Sequence, residues 1–480
     1  MTVAPLPDGL VVVVKRDCPT CELVLPALVE LKTSAALALT VFVQDDPSFF
    51  ADLDPVDDGS LAVSYFHDIE TVPTLLSVRG GIECARAVGW SRAQWRTLTG
   101  HERLGEQLPE YRPGCGSLSV DPTMADVLAV RFGGSVLRSR RVEVATLEDE
   151  FEAMYERGWS DGLPLVPPTE PRVLRMLSGT TRAADEVVAV VPPDLVECTV
   201  EKVAINAVMA GCRPDYLPVV LAAVEAVCTD RFNMHGVLAT TMPVGPVFVV
   251  NGPVTKSLGM NSGVNVLGQG NRANLAIGRA VQLVIRNVGG GAPGGVDRAA
   301  HGNPGKLSAC FAEDEAGSPW EPLSVSRGVP AGASAVTVFA AEGPRSVVDQ
   351  RSRTAEELVR SFAACMRAIH HPKLFQGEDV LVVVGPEHAS RFREAGWSRA
   401  ELVARLHALC TADGADLVAG VDGNAVGVAA EQADRRYEKF SRDGILVVHA
   451  GGSAGLFSAV MGGWKNGPGG SSPTTVEVRT

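Results

Sequence analysis

Two hydrophobic patterns alternate along this chain. Short apolar runs without a polar break read as strands covered on both faces, and longer stretches with apolar residues every three or four positions read as amphipathic helices. The strands are 10–15 (LVVVVK), 39–46 (LTVFVQDD), 247–253 (VFVVNGP), 336–344 (VTVFAAEGP), 380–386 (VLVVVGP) and 445–452 (ILVVHAGG). The last four end in glycine turns. Helical spacing marks 199–211, 216–227, 273–288, 354–370 and 398–410. This alternation predicts an α/β protein and, from about residue 144 onward, a mostly parallel sheet.

At 480 residues the chain exceeds one ordinary core, so two or three domains are expected. Its ten cysteines are scattered except for one close pair, which fits free thiols in a reducing compartment rather than a disulfide scaffold. A formal net charge of −13 leaves nothing basic to neutralise phosphates, so neither nucleic acid nor an anionic membrane is expected as a partner. No apolar run reaches the roughly 18 residues that span a bilayer. The first residues lack the basic head and apolar stretch of a signal peptide, and a cytoplasmic location is expected.

The close pair is Cys18 and Cys21, in Asp17-Cys18-Pro19-Thr20-Cys21. It follows the first strand and opens a helix, with Pro19 in the first turn, where a missing N–H costs nothing. Unpaired amides and the positive end of the helix dipole favour a thiolate there, the form that attacks a disulfide. A zinc ribbon would need a second Cys-x-x-Cys, and the chain has none. Farther on, 65–90 reads as a helix, a Val72-Pro73-Thr74 turn and a hairpin closed by Gly80-Gly81; a last helix starts at Ser91.

Over residues 5–104 this order resembles the thioredoxin family. The resemblance implies that Pro73 is cis and lies against the cysteines, that Cys18 attacks and Cys21 resolves, and that a reversible Cys18–Cys21 disulfide serves in place of a cofactor; none other is evident. Thioredoxins usually carry an aromatic residue before the first cysteine. Asp17 stands here instead, and its carboxylate should oppose thiolate formation. The expected organisation is a thioredoxin-like domain at 1–104, a linker at 105–143 and a large α/β substrate domain at 144–480. The linker rests on 100–123, polar and rich in glycine and proline. Within it, Cys115 between two glycines reads either as incidental or as a thiol that shuttles to the Cys18/Cys21 pair.

Two phrases of the large domain are alike. A Thr199-capped helix leads on to 247–253, and a Thr354-capped helix leads on to 380–386; both strands end in Gly-Pro. An internal duplication would give halves 144–330 and 331–480, two lobes facing across a cleft. Chance recurrence of common α/β phrases is the other reading. Segments 158–170 (GWSDGLPLVPPTE), 204–226 and 318–322 (SPWEP) resemble a bacterial family to which no reaction is attached.

In open parallel sheets ligands collect at the carboxyl ends of the strands. Asn251, Glu342, Glu387, His388 and His449 are expected there, enough for acid–base chemistry. The stretch 261–280 enters a helix at Asn271 and Arg272, an anion-binding arrangement that matches neither a Rossmann fingerprint nor a P-loop. The glycine-rich 287–295 reads as a lid or tight turn. Gly451-x-Ser453-x-Gly455 is expected between a strand and a helix, as in a nucleophile elbow, yet no histidine or aspartate follows Ser453 as an α/β-hydrolase would need. Two thiols complete the candidates. Cys212 adjoins Arg213, whose guanidinium would lower its pKa, although a helix C-terminus works against it; Cys310 precedes Glu313, Asp314 and Glu315.

These readings converge on a thiol-dependent oxidoreductase. Its tethered Cys-x-x-Cys domain would reset Cys212 or Cys310 of a catalytic domain acting on a small, anionic molecule, with an external thiol as final reductant. Two alternatives stand beside it: a non-redox lyase or transferase that breaks a carbon–sulfur or carbon–metal bond with Glu and His, and a thiol or metal delivery module. No metal ligands are expected, and the sequence specifies neither the substrate nor the oligomeric state.

Overall fold

Strand β1 (Gly9–Val14) buries five of its six residues, because it lies inside a sheet with neighbours on both edges and apolar cover on both faces. In the computed structural model, which describes residues 5–34, 38–121, 123–133, 137–142, 144 and 149–479, the chain divides into two units, Met1–Val136 and Leu137–Thr480. Both mix helix and strand.

In the first unit, β1 runs parallel to β2 (Leu39–Val43), which runs parallel to β3 (Val56–Asp57). After the short β4 (Thr71–Val72), the hairpin of β5 (Thr74–Arg79) and β6 (Ile82–Val88) adds to the other edge of β1, giving the order β3-β2-β1-β5-β6. Helix α1 (Pro19–Thr33) buries Val24, Ala27, Leu28 and Leu31 in the same core as β1, and helix α2 (Arg92–Thr99) adds Trp95.

The expected linker begins too early. Residues 105–121 belong to the first unit: β7 (Trp90–Ser91) pairs with β8 (Tyr111–Arg112), and β4 pairs with β9 (Cys115–Gly116). Trp90 donates to Pro109 O (2.6 Å), Thr20 to Pro113 O (2.7 Å) and Lys15 to Gly116 O (2.8 Å). Glycine and proline serve close packing here rather than slack: a Cβ on Gly114 would meet Val72 O at 2.6 Å. Parts of the expected linker, at 122, 134–136 and 143, lie outside the described residues.

In the second unit, helices Glu150–Glu156 and Glu170–Leu177 precede a hairpin of β10 (Val187–Val191) and β11 (Val196–Thr199). Its main sheet has eight strands: β12 (Gly245–Asn251), β13 (Cys310–Ala312), β14 (Ala335–Ala341), β15 (Arg345–Val348), β16 (Glu378–Val384), β19 (Phe440–His449), β20 (Phe457–Lys465) and β21 (Thr474–Glu477); a small pair, β17 (Thr411–Asp413) and β18 (Arg436–Glu438), stands apart. The order is β13-β12-β14-β20-β16-β19, with β15 on β20 and β21 on β14. Only β12·β13 and β16·β19 are parallel, so the expected mostly parallel sheet is a mixed one dominated by antiparallel pairs.

The apolar runs misled because both faces of these strands are buried, which hydrophobicity reports without regard to direction. Phe248 and Val250 face helices α3 (Val200–Met209), α4 (Leu217–Val227), α5 (Met234–Ala239) and α6 (Arg272–Asn287). Val380, Val382 and Val384 face α7 (Ala355–Arg367), α8 (Pro386–Glu394) and α9 (Arg399–Leu409). The alternate residues Val247, Val249, Leu381 and Val383 share a central core with Phe311, Phe339, Leu446 and Met461. The sheet curls around that core until its edges meet, where Asp314 N donates to His449 O (2.8 Å). Among the described residues no helix is long and apolar enough to cross a membrane.

Candidate functional site

Cys18 is the N-cap of α1, in extended conformation, and its sulfur accepts from Cys21 N at 3.4 Å. Its thiol donates to Val72 O at 3.5 Å, and the peptide that follows, Val72–Pro73, is cis. Both cysteines are buried, Cys18 at 2% exposure and Cys21 at 0%. The Cys18 thiol is pulled down to about 5, chiefly by the Cys21 thiol that hydrogen-bonds its sulfur; burial opposes this, and the Cys115 thiol and the amides of Cys21 and Thr20 add to it. Cys21 moves far up, through burial and then through Cys18. Asp17 is exposed and is not among the groups that set the Cys18 thiol. The helix start and its donors therefore outweigh the carboxylate. Cys115, half-buried, stands opposite Val72 in the β4–β9 pair and completes a three-thiol cluster.

The thiols expected to react in the second unit are buried, and burial favours their neutral form. Cys212 donates to Ala276 O (3.3 Å) and is pushed up to about 12 by burial, which Arg272 and Arg279 only partly offset. Arg213 pairs with Asp215 (3.3 Å) and lies over the Tyr216 ring, so it does not activate its neighbour. Cys310 is raised by burial and then by Cys212. Both sulfurs sit in the apolar layer under α6, and an uncharged thiol is a small hydrophobe there.

At the expected anion site on α6, Asn271 and Arg272 bond within the chain. Asn271 caps the helix by accepting from Asn274 N (3.0 Å) and donates to Gly259 O (2.8 Å), while Arg272 donates to Gly211 O (2.9 Å). Gly451 N donates to Ser262 O (2.9 Å). Ser453 is exposed in a turn between β19 and β20, and with a strand after it no nucleophile elbow forms.

Of the acid–base candidates Glu342 stands apart, whereas Glu387, His388 and His449 stand at the carboxyl ends of the parallel β16–β19 pair, in which Val384 is the register partner of His449. In an antiparallel pair, strand ends alternate between the two ends of the sheet. Asn251 pairs with Ala335, whereas Glu342 follows Ala341, which pairs with Gly245. Six residues of strand, about 20 Å, separate the two. His388 is committed on both ring nitrogens, to Ser458 Oγ (2.7 Å) and Asp349 O (3.1 Å); Glu387 accepts from Leu456 N (2.6 Å). Glu342 pairs with Arg345 (2.9 Å) and stands 3.9 Å from His370, which contacts Glu378 at 3.0 Å. Asn251 and His449 do fall together, through the acidic residues that follow Cys310. Asn251 donates to Glu313 (2.7 Å) and Glu315 (2.9 Å), and His449 Nδ1 lies 3.1 Å from Asp314 O. Glu313, raised chiefly by burial, is answered by Arg399 at 3.2 Å. This hydrogen-bonded cluster ties the sheet's two edges together, with Asn251 Oδ1 and His449 Nε2 buried and without partners. Among the described residues no three histidine, cysteine or carboxylate side chains are arranged to hold a metal ion.

One cavity fits a small molecule. About 540 Å³ lies between α5, α6 and the glycine-rich 291–307 segment, with Met234, Leu238 and Leu307 as apolar wall. Its charged lining is mostly paired, Asp161 to Arg279 (2.7 Å) and Asp297 to Lys306 (2.6 Å). Arg286 has no carboxylate within ion-pair distance among the described residues, and its Nε and Gln282 Nε2 are buried without partners. The 287–295 segment, read as a lid or turn, is thus part of a wall. A second cavity, about 660 Å³, lies over Phe375, His407 and Tyr437.

No family model matches the chain, and no match was found among curated proteins or solved structures.

Proposed function

We propose that the chain is a thiol–disulfide oxidoreductase whose first unit is a thioredoxin-like domain. The single observation that carries the reading is Cys18 at the α1 N-cap with its thiol drawn down to about 5 against a buried Cys21. The order of strands β3-β2-β1-β5-β6 and the cis-Pro73 beside Cys18 support it. The Cys18 thiolate attacks one sulfur of a disulfide, forming a mixed disulfide and releasing a thiolate. Cys21 then gives up its proton and attacks the Cys18 sulfur. The second thiolate leaves, and two electrons have passed to the substrate. An external thiol returns the pair to the reduced state. Relay through Cys212 or Cys310 forms no part of this reading.

The test is reduction of insulin disulfides by dithiothreitol. The chain should accelerate it, and Cys18→Ser should remove at least about a hundredfold of that acceleration. Full acceleration by Cys18→Ser would overturn the assignment.

For the second unit we propose a small-molecule-binding domain built by internal duplication. In each half a central strand (β12, β16) is followed by an outer parallel strand (β13, β19) and then an inner antiparallel one (β14, β20), and the inner strands meet at Ala341 and Gly463. The next strand of each half crosses to the other, β15 to β20 and β21 to β14. The boundary between halves then falls after β15, at about 349–354, rather than at 330. Arg286, which donates to Gly158 O (3.4 Å) and has no carboxylate partner among the described residues, and the apolar wall of the 540 Å³ cavity suit a small anion with an apolar body. Benzoate should bind more tightly than benzamide in a ligand-detected NMR titration, and Arg286→Gln should weaken benzoate about tenfold, as loss of one charge-assisted bond does. Equal binding of the two probes would refute the anion preference.

A further inference from the structure

We infer that Cys115 is a second resolving thiol for Cys18, an inference that rests on the reading of Cys18 as the attacking residue. Three observations bring the sulfurs together. Cys115 is the register partner of Val72 across the β4–β9 pair, and Val72 O is the acceptor for the Cys18 thiol. The two thiols act on each other's protonation, Cys115 helping to lower Cys18 and Cys18 helping to raise Cys115. The segment is fixed on both sides of Cys115, by Thr20 on Pro113 O (2.7 Å) and Lys15 on Gly116 O (2.8 Å), and Gly114 permits the close approach. These contacts span about 100 residues of sequence and converge on one sulfur.

Burial separates the two resolving candidates. Cys21 is fully enclosed, so its thiolate is costly to form. Cys115 is half-buried, and the burial that raises its thiol is much less complete. When Cys18 is joined to a substrate thiol as Cys18–S–S–R, Cys115 loses its proton and attacks the Cys18 sulfur. The Cys18–SR bond breaks, a Cys18–Cys115 bond forms, and RS⁻ leaves and takes up the proton. Two thiols are oxidised to one disulfide, and the external disulfide is reduced to two thiols. Attack of Cys21 on Cys18 then frees Cys115 and yields the Cys18–Cys21 bond. Because β9 carries Cys115, the intermediate disulfide also pins the 111–117 segment to the catalytic helix.

The experiment uses the full chain with Cys21→Ser, treated with glutathione disulfide, digested without reduction and mapped by mass spectrometry. The expected product is a Cys18–Cys115 bridged peptide, with the glutathione adduct on Cys18 reduced at least tenfold relative to the Cys21→Ser/Cys115→Ser double variant. A Cys18–glutathione adduct that persists equally in both variants overturns the role of Cys115 and leaves Cys18 as the nucleophile. No adduct on Cys18 in the double variant overturns both. The unsubstituted chain gives a reading independent of any variant's folding. Brief oxidation followed by acid quenching should trap both bridged peptides, and a Cys18–Cys21 bridge alone at every time point also counts against Cys115.

Discussion

Cys18 and Cys212 are both buried, and each has a cationic side chain in its sequence neighbourhood, yet their thiols move in opposite directions, to about 5 and about 12. The difference lies in what points at the sulfur. Cys18 begins a helix, so the Cys21 amide donates to its sulfur, and the Cys21 and Cys115 thiols favour its thiolate. Both thiols reach a carbonyl, Cys18 that of Val72 and Cys212 that of Ala276, but Cys212 follows the end of a helix and has no first-turn amide at its sulfur. Burial alone raises a thiol, and a neighbouring arginine offsets that only if its guanidinium faces the sulfur. Arg213, engaged with Asp215, does not. A reactive cysteine is thus made by donors converging on its sulfur, more than by the residue beside it in sequence.

The sharpest way to break this comparison is chemical modification. At pH 7 the two positions differ on the order of 10⁵-fold in thiolate fraction, from their pKa values alone. Iodoacetamide should therefore label Cys18 within minutes and leave Cys212 and Cys310 unlabelled in the folded chain. The Cys18 rate should be flat from about pH 6 to 9 and fall as pH drops through about 5. A half-rate pH near 8 would mean that the donors around Cys18 do not hold a thiolate.

The same desolvation acts on a carboxyl of the second unit, with a smaller effect and a defined sign. Asp379 is pushed up to about 7 by burial, against the pull of Asn466, Arg327 and Arg231, with Glu378 adding to the rise. Its native pKa lies above the unfolded value near 4, so the folded chain holds the proton more tightly. The contribution to stability is present in full below about pH 4 and is lost as pH rises through about 7. Asp379→Asn cannot titrate, and the Asn466 bond to Oδ1 can remain. Between pH 4 and 7 the unsubstituted chain should lose on the order of 2–4 kcal/mol more than Asp379→Asn does, read from urea unfolding at each pH. Parallel pH curves would show that Asp379 is ionised in the native state.

The two regions also differ in how far their sequences could be read. A strand, a Cys-x-x-Cys helix start and a proline before a hairpin are local features, and each has a short-range cause: unpaired amides, a fixed φ, a glycine turn. Cys115 was ambiguous because its meaning depends on Val72, 43 positions earlier, and Gly-Pro composition describes a loose linker and a tightly packed strap equally well. In the second unit, apolar runs correctly marked buried strands but carried no direction, and that error placed Glu342 with the other strand-end candidates. Glu342 and Asn251 share a strand-end position in sequence and lie at opposite ends of the same antiparallel pair. Arg286 gave no signal, since an arginine on an amphipathic helix becomes distinctive only when the rest of its wall proves to be paired.

The smallest effect is expected where the comparison predicts none in catalysis. If Cys212 is a packing residue, Cys212→Ala should leave insulin reduction within about twofold of the unsubstituted chain, because no electron passes through it. Stability should still fall, by about 1 kcal/mol, since the sulfur fills the layer under α6 and its bond to Ala276 O is lost. The two measurements separate the roles: a redox residue would change turnover with little change in unfolding, and a packing residue does the reverse. Cys310 lies in the same layer and raises no second thiolate, so Cys310→Ala should repeat the pattern. A loss of turnover above about tenfold in either variant, at unchanged stability, would restore a thiol relay to the second unit and remove the contrast with Cys18.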